Sequence, residues 1–274
     1  MIEAPSARRL LIGAALRRYR EDLGFILEDA ARVLECDRSK ISRIETGQRG
    51  IRPKELRELL TEYGVSEREQ STLTAIARAG SRGSWQRRGE ALPDSYREYL
   101  ALEQAASEIL VYDPQHIPDL LQTSRYAEAS GVRSPSFTAD AELSLSRQQL
   151  LSERQARLTT LIGEAALRQA HGDPEVVRDQ LLALATTGRR AVVYVLPSRN
   201  VPPSSGPATI LRFAVPGLGV VYLPGLSGGI CLTSQQDVIG HTEAFEQLRA
   251  SALSPPASAR LIQEIATVTA YPDR

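Results

Sequence analysis

The chain carries 33 basic and 33 acidic side chains in 274 residues, 42% of them hydrophobic, a composition that supports two ordinary folded domains and excludes a disordered polymer or a small disulfide scaffold. Cys36 and Cys231 stand far apart with no Cys-x-x-Cys or Cys/His cluster, so neither a metal site nor a disulfide is expected and a reducing compartment fits. Met1 to Ala7 lacks the basic start and apolar run of a secretory signal, and no stretch reaches the ~18 apolar residues of a spanning helix. A cytoplasmic location with no membrane contact is therefore expected.

In chain order, Arg9 to Leu23 places Ile12, Leu16, Tyr19 and Leu23 on one helical face and stops at Gly24. A short second helix runs from about Leu27 to Leu34. Asp37 is positioned to cap a third, Arg38 to Thr46, which Gly47 closes. Pro53 opens a fourth, with Leu56, Leu59, Leu60 and Tyr63 apolar, ending at Gly64; Ser66 is positioned to cap a fifth containing Leu73, Ile76 and Ala77. These five helices predict an all-α domain over residues 1–80. The Gly/Ser-rich stretch Gly80 to Gly89 predicts a linker, bounded as 81–93.

The remainder, 94–274, predicts an α+β domain with a small, mainly antiparallel or mixed sheet. A helix is expected from Asp94 to Ile109, ended by Pro114, then a short helix around Pro118 to Ser130, a loop at Ser134 to Phe137 and a helix from Ala139 to Arg157. Leu158 to Ile162, Ala191 to Leu196, Thr209 to Val215 and Val220 to Leu223 are short, β-branched and bounded by turn residues, which predicts four strands. In the third, alternation predicts a sheet with one better buried face. Asp173 to Thr187, Gln236 to Ala252 and Pro255 to Thr267 predict further helices. Pro224 to Gly229, between Val220–Leu223 and Ile230–Leu232, predicts a hairpin connection.

The neutral total hides an asymmetry. Met1 to Arg88 holds 18 basic against 13 acidic side chains, an excess of five that the remainder balances. Between Arg38 and Arg57 stand Arg38, Lys40, Arg43, Arg49, Arg52, Lys54 and Arg57, with only Glu45 and Glu55 opposing them. Concentrated cations suit a polyanion, because phosphate contact releases counterions; a solvated basic surface is the alternative. Helices two and three have the proportions of a helix-turn-helix. Ile41 and Ile44 are spaced to bury against Leu34 and helix one, leaving Ser39, Ser42, Arg43 and Thr46 outward. Small hydroxyls beside long cations permit close approach to base edges, and arginine can pair bidentately with guanine. Arg38, Ser39, Ser42 and Arg43 are thus candidate base readers; Lys40, Arg49, Lys54 and Arg57 are candidate phosphate contacts. Glu45, acidic beside the groove, is expected to pair with a nearby arginine.

Ser39 to Gly47, Ser-Lys-Ile-Ser-Arg-Ile-Glu-Thr-Gly, with Leu27-Glu-Asp-Ala-Ala31 before it, resembles the XRE, or lambda-repressor-like, helix-turn-helix family. The run from Tyr112 to Tyr126, then Glu164 to Arg168, Val195 to Pro197 and Val221 to Leu226, resembles the actinobacterial members with a C-terminal domain of poorly defined function, often described as antitoxin-like. The resemblance implies a dimeric transcriptional regulator that binds double-stranded DNA, with Ser39, Lys40, Ser42 and Arg43 at recognition-helix positions, and a small protein from a neighbouring gene as partner. Two positions depart from that pattern. Ile26-Leu27 replaces a polar pair that grips phosphate, and Glu35 replaces a turn glycine, so Glu35 must adopt positive φ or shift the turn.

No catalytic motif is present, and the chain is not expected to be an enzyme or to hold a cofactor. His171-Gly-Asp173 and His241-Thr-Glu243 put a carboxylate two residues from a histidine, which on a helix points the groups apart, and His116 has no signposted ligand set. Ser198, Ser204 and Ser205 lie in a Pro-rich loop without a nucleophile elbow. Trp85, Tyr96, Tyr99, Tyr112, Tyr126 and Tyr194 are read first as core or interface aromatics; a small-molecule pocket that makes the protein a ligand-responsive switch is the alternative. A partner-sequestering module with weakened DNA binding is a further alternative, supported by Ile26, Leu27 and Glu35.

Overall fold

A computed structural model of the chain describes residues 5–78, 92–129, 141–170, 172–188, 191–202, 206–225 and 227–269. The Gly80 to Gly89 stretch with Trp85, the Ser134 to Phe137 segment, His171, Ser204 and Ser205 lie outside them.

The N-terminal part is the five-helix array that the apolar period predicts: α1 (Ala7–Asp22), α2 (Leu27–Val33), α3 (Arg38–Glu45), α4 (Pro53–Glu62) and α5 (Glu67–Arg78). Leu11, Leu16, Ile41, Ile44, Leu56, Leu59, Leu60, Leu73 and Ile76 form its core. Pro53 occupies the first turn of α4, where its missing N–H costs nothing. Ser66 Oγ accepts Glu69 N–H at 3.4 Å and donates to the Glu69 carboxylate at 2.6 Å, a capping box that starts α5. Asp37 stands at the N-cap of α3, yet its side chain makes no capping bond, against expectation.

The C-terminal part is α+β. In order it contains α6 (Asp94–Glu103), β1 (Glu108–Asp113), a 3-10 turn (Asp119–Leu121), α7 (Ser124–Ala129), α8 (Ala141–Arg154), β2 (Arg157–Gly163), α9 (Glu164–Arg168) and α10 (Pro174–Ala185). It continues with β3 (Ala191–Leu196), β4 (Ala208–Arg212), β5 (Gly219–Leu223), β6 (Ile230–Leu232), α11 (Gln235–Ala250) and α12 (Pro255–Thr269). The six strands make one mixed sheet of order β3-β2-β1-β4-β5-β6. β1, β2 and β3 run parallel; β1–β4, β4–β5 and β5–β6 are antiparallel. β5 and β6 form the expected hairpin.

Two expectations are corrected. The helix predicted over Asp94 to Ile109 ends at Glu103, and Glu108 to Asp113 is instead the strand at the middle of the sheet. Ile109, Leu110, Val111 and Tyr112 are all buried because both faces of β1 are covered, and such a run carries no alternation to distinguish strand from helix. The strand predicted to reach Val215 stops at Arg212, where Phe213 N–H donates to the Leu218 carbonyl and the chain turns. Thr209, Leu211, Phe213 and Val215 are all buried, as their alternation predicts, while of the residues between them only Ile210 is buried.

The sheet separates two cores. On one face Ile109, Val111, Leu158, Leu211, Val220 and Tyr222 share a core with Tyr96, Tyr99, Leu100 and Leu102 of α6 and Leu143 of α8. Further along that face, Ile162, Val193 and Val195 meet Val177, Leu181 and Leu184 of α10 and Ile262, Ile265 and Ala266 of α12. On the opposite face Leu110, Tyr112, Leu161, Leu196, Ile210 and Val221 pack against Phe245 of α11.

Candidate nucleic-acid interface

The third helix is set by three local devices. Ile41 and Ile44 are its buried side, only 1% and 2% exposed, as their spacing predicts. Gly13 of α1 admits the end of α3 closely: a Cβ there would stand 2.5 Å from the Glu45 carbonyl oxygen and 2.6 Å from that of Ile44. Buried Glu45 accepts two bonds from Arg20 of α1, 2.7 Å from Nε and 2.9 Å from Nη2, while Arg20 Nη1 donates to the Phe25 carbonyl at 2.7 Å. Arg20 is thus the arginine expected for Glu45. At the turn between α2 and α3, Glu35 takes φ +47, the first of the two options open to it.

With its inner side held, α3 turns Arg38, Ser39, Arg43 and Thr46 to solvent and leaves Ser42 half-buried between them. Arg38 Nη1 donates to Glu28 of α2 at 3.1 Å, a bond that also holds the Glu28 carboxyl below its usual range. Arg43 Nε lies on the Ser39 carbonyl at 3.2 Å, and the Thr46 hydroxyl donates to the Ser42 carbonyl at 2.9 Å. Lys40 points elsewhere. Its ammonium meets Glu55 Oε1 at 2.7 Å with both side chains mostly covered, which ties α3 to α4. Burial pushes the Glu55 carboxyl up, but bonds from Lys40 and the Arg52 N–H outweigh it and hold the group below its usual range.

Lys54 and Arg57 are exposed along α4, Lys54 3.6 Å from Glu58 and Arg57 Nε on the Pro53 carbonyl at 3.3 Å. Arg49 is exposed beside a cleft of about 190 Å³ that Arg9, Ile12 and Ile51 also line. Arg9 was not singled out from the sequence; Arg8-Arg9 at the start of α1 was its only signal. At the opening of α2, Ile26 is 59% exposed and offers no side-chain donor; its own N–H is taken by Asp29 Oδ2 at 2.8 Å.

A second concave feature lies in the α+β part, at the carboxyl ends of β1 and β5 and the amino end of β4. This cavity of about 350 Å³ is lined by Tyr96, Tyr99, Tyr112, Tyr126 and Tyr222, among others. Four of the tyrosines weighed in the sequence as possible pocket residues therefore converge. Tyr194 is not among the lining residues and has the Arg249 guanidinium 5.8 Å from its ring. No motif or spacing pointed to Arg147, which also lines the cavity and is nearly fully buried. Its Nε and Nη2 donate to Glu103 at 2.8 and 2.7 Å, and Nη1 lies 3.3 Å from the Tyr96 hydroxyl and 3.5 Å from Asp119. At the rim Asp113 Oδ1 accepts the backbone N–H of Gln115 and His116 at 2.9 and 2.8 Å. The Asp113 hydrogen bond, opposed in part by burial, holds the His116 pKa above its usual value.

Among the described residues no group of three or more His, Cys, Asp or Glu could hold a metal ion. No helix in them is long and apolar enough to cross a membrane.

A short helix locked on its neighbour with a cationic outer side defines a helix-turn-helix protein, and residues 11–73 match the family described as Helix-turn-helix domain. Residues 96–264, more than half of the chain, match the family described as Domain of unknown function (DUF5753), and the chain belongs to that family. No curated protein and no solved structure matches it.

Proposed function

We propose that the chain is a sequence-specific, DNA-binding transcriptional regulator that acts as a homodimer, with Arg38, Ser39, Ser42 and Arg43 reading base edges. The observation that carries this is the outer side of α3, where long cations flank small hydroxyls while Ile41, Ile44 and Glu45 lock the helix from within. Arg49, Lys54 and Arg57 surround it as phosphate contacts. Lys40, engaged with Glu55, acts there as a brace between α3 and α4. An eight-residue helix is about 12 Å long and spans few base pairs, so one copy reads too little sequence to be selective. Two copies on half-sites about 34 Å apart supply the rest. Such a protein works where the DNA is, in the cytoplasm of a bacterial cell.

The test is selection of bound sequences from random duplex DNA by the full-length protein, with the Ser42→Ala, Arg43→Ala double variant alongside. A palindrome enriched by the first and lost by the second supports the reading. Enrichment of nothing by either protein would overturn it.

For the C-terminal domain, the antitoxin-like pairing with a small neighbouring-gene protein rests on the resemblance of Tyr112 to Tyr126 and the later motifs. The cavity favours the other reading, a regulator that responds to a small molecule. In either case we read this domain as a binding module, because its sequence carries no catalytic motif.

A further inference from the structure

The cavity in the α+β part has the size and walls of a ligand site. Close-packed interiors leave few voids larger than a water molecule, whereas about 350 Å³ falls within the range of small-molecule pockets. One wall is a stack of aromatic rings. Tyr99 and Tyr222 lie face to face, centroids 4.1 Å apart at 16°, and Tyr96 leans on both at 5.8 and 6.2 Å. Tyr99 and Tyr222 cover one face of each other and the Arg147 guanidinium lies 5.8 Å from the Tyr99 centroid, so the stack offers a ligand an apolar aromatic wall to pack against.

The charges decide the ligand's sign. Arg147 is the cation in the wall, and Glu103 takes two of its nitrogens while Asp119 stands 3.5 Å from a third. Its charge is therefore answered by carboxylates before any ligand arrives. Asp113, at the rim, adds a further negative charge, with His116 3.5 Å away. Of the lining groups Asp113 and Asp119 face Arg147 and His116, and Glu103, outside the lining, adds a further negative charge bound to Arg147, so the acids outnumber the bases. An anion entering here meets an excess of negative charge in a recess partly shielded from water, where opposite and like charges both count for more than in bulk solvent.

We propose that this cavity binds a small planar organic monocation, an aromatic ring carrying a protonated amine, with the ring against the tyrosine wall and the ammonium towards Asp113 and Asp119. The proposal rests on the ligand-responsive reading of the C-terminal domain and names the chemistry it takes.

Calorimetric titration of the full-length protein with three probes of one ring system tests it: tryptamine (cationic), indole (neutral) and indole-3-acetate (anionic). Tryptamine is expected to bind at least about tenfold more tightly than indole-3-acetate, a difference of ~1.4 kcal/mol. Asp113→Asn and Asp119→Asn, each checked for a native melting transition, are expected to weaken tryptamine severalfold and leave indole unchanged. Asp113→Asn keeps an oxygen to accept the Gln115 and His116 N–H groups, so the loop is not the variable. Indole-3-acetate binding as well as tryptamine, or tryptamine binding equally to both variants, overturns the cationic class while leaving a ligand site. No heat from any probe at about 1 mM overturns the ligand-responsive reading itself. The titration contains no DNA, so neither outcome bears on the DNA-reading assignment.

Discussion

The backbone N–H of Arg8, at the start of α1, donates to Glu98 Oε1 of α6 at 3.1 Å, and Arg8 Nε lies 3.7 Å from the same oxygen. The helix that gives Tyr96 and Tyr99 to the cavity wall thus also holds the first helix of the DNA-binding part. On the same side Arg18 of α1 donates to the Pro216 carbonyl in the turn after β4. Glu98→Ala is expected to cost about 1 kcal/mol, because a mostly covered N–H loses a charged acceptor. Glu98→Gln keeps an acceptor and should recover most of it. Thermal denaturation of the two variants decides this; equal melting of Glu98→Ala and the parent would show that the contact contributes nothing.

Removing one partner of the Arg20–Glu45 pair leaves a buried charge uncompensated. Glu45→Ala is expected to destabilise by ~3 kcal/mol, and Arg20→Met with Glu45→Met by clearly less, since neither charge then remains. Denaturant unfolding of the single and double variants measures the difference.

Lys40 and Arg43 separate structure from reading. Lys40→Met should lower stability by about 1 kcal/mol and leave base preference as it was, because its charge is spent on Glu55. Arg43→Ala should leave melting nearly unchanged and cost roughly 1 to 3 kcal/mol on operator DNA, relaxing one base position. Equal losses by Arg43→Ala on operator and random duplex would reassign it to phosphate.

Glu35 sits in the left-handed region, which costs a side-chain-bearing residue roughly 1–2 kcal/mol. Glu35→Gly removes that strain and adds some unfolded-state entropy, for an expected net gain of up to about 1 kcal/mol. Glu35→Val should lose at least as much. A melting temperature that falls for the glycine variant would mean that the turn depends on the Glu35 side chain.

His116 gives a pH signature. Its pKa is raised in the folded protein by the Asp113 hydrogen bond, so protonation and folding favour each other. The stabilisation is complete below the unfolded value of about 6.5 and is lost as pH rises through the higher folded value. The melting temperature of the parent relative to His116→Gln should therefore be greatest in mildly acidic buffer and shrink above neutrality. A difference that grows with pH would contradict this sign.

The N-terminal domain was readable from the sequence because its determinants are local. Apolar residues at helical spacing name most of the buried positions, although Leu23 is exposed; Gly24, Gly47 and Gly64 adopt the positive φ that ends three of the helices, and Pro53 and Ser66 start the fourth and fifth. Ile41 and Ile44 likewise mark which side of α3 faces outward, and so which residues the proposed DNA interface presents. What the sequence could not show was β1, since a strand buried on both faces has no alternation, nor that Lys40 spends its charge on Glu55. The cavity is the extreme case. Tyr96 and Tyr99 come from α6, Asp113 from β1, Arg147 from α8 and Tyr222 from β5. Only the packing of α6 and α8 on one face of the sheet brings them together. No spacing along the chain encodes a site whose parts meet through contacts between elements as far apart in sequence as α6 and β5.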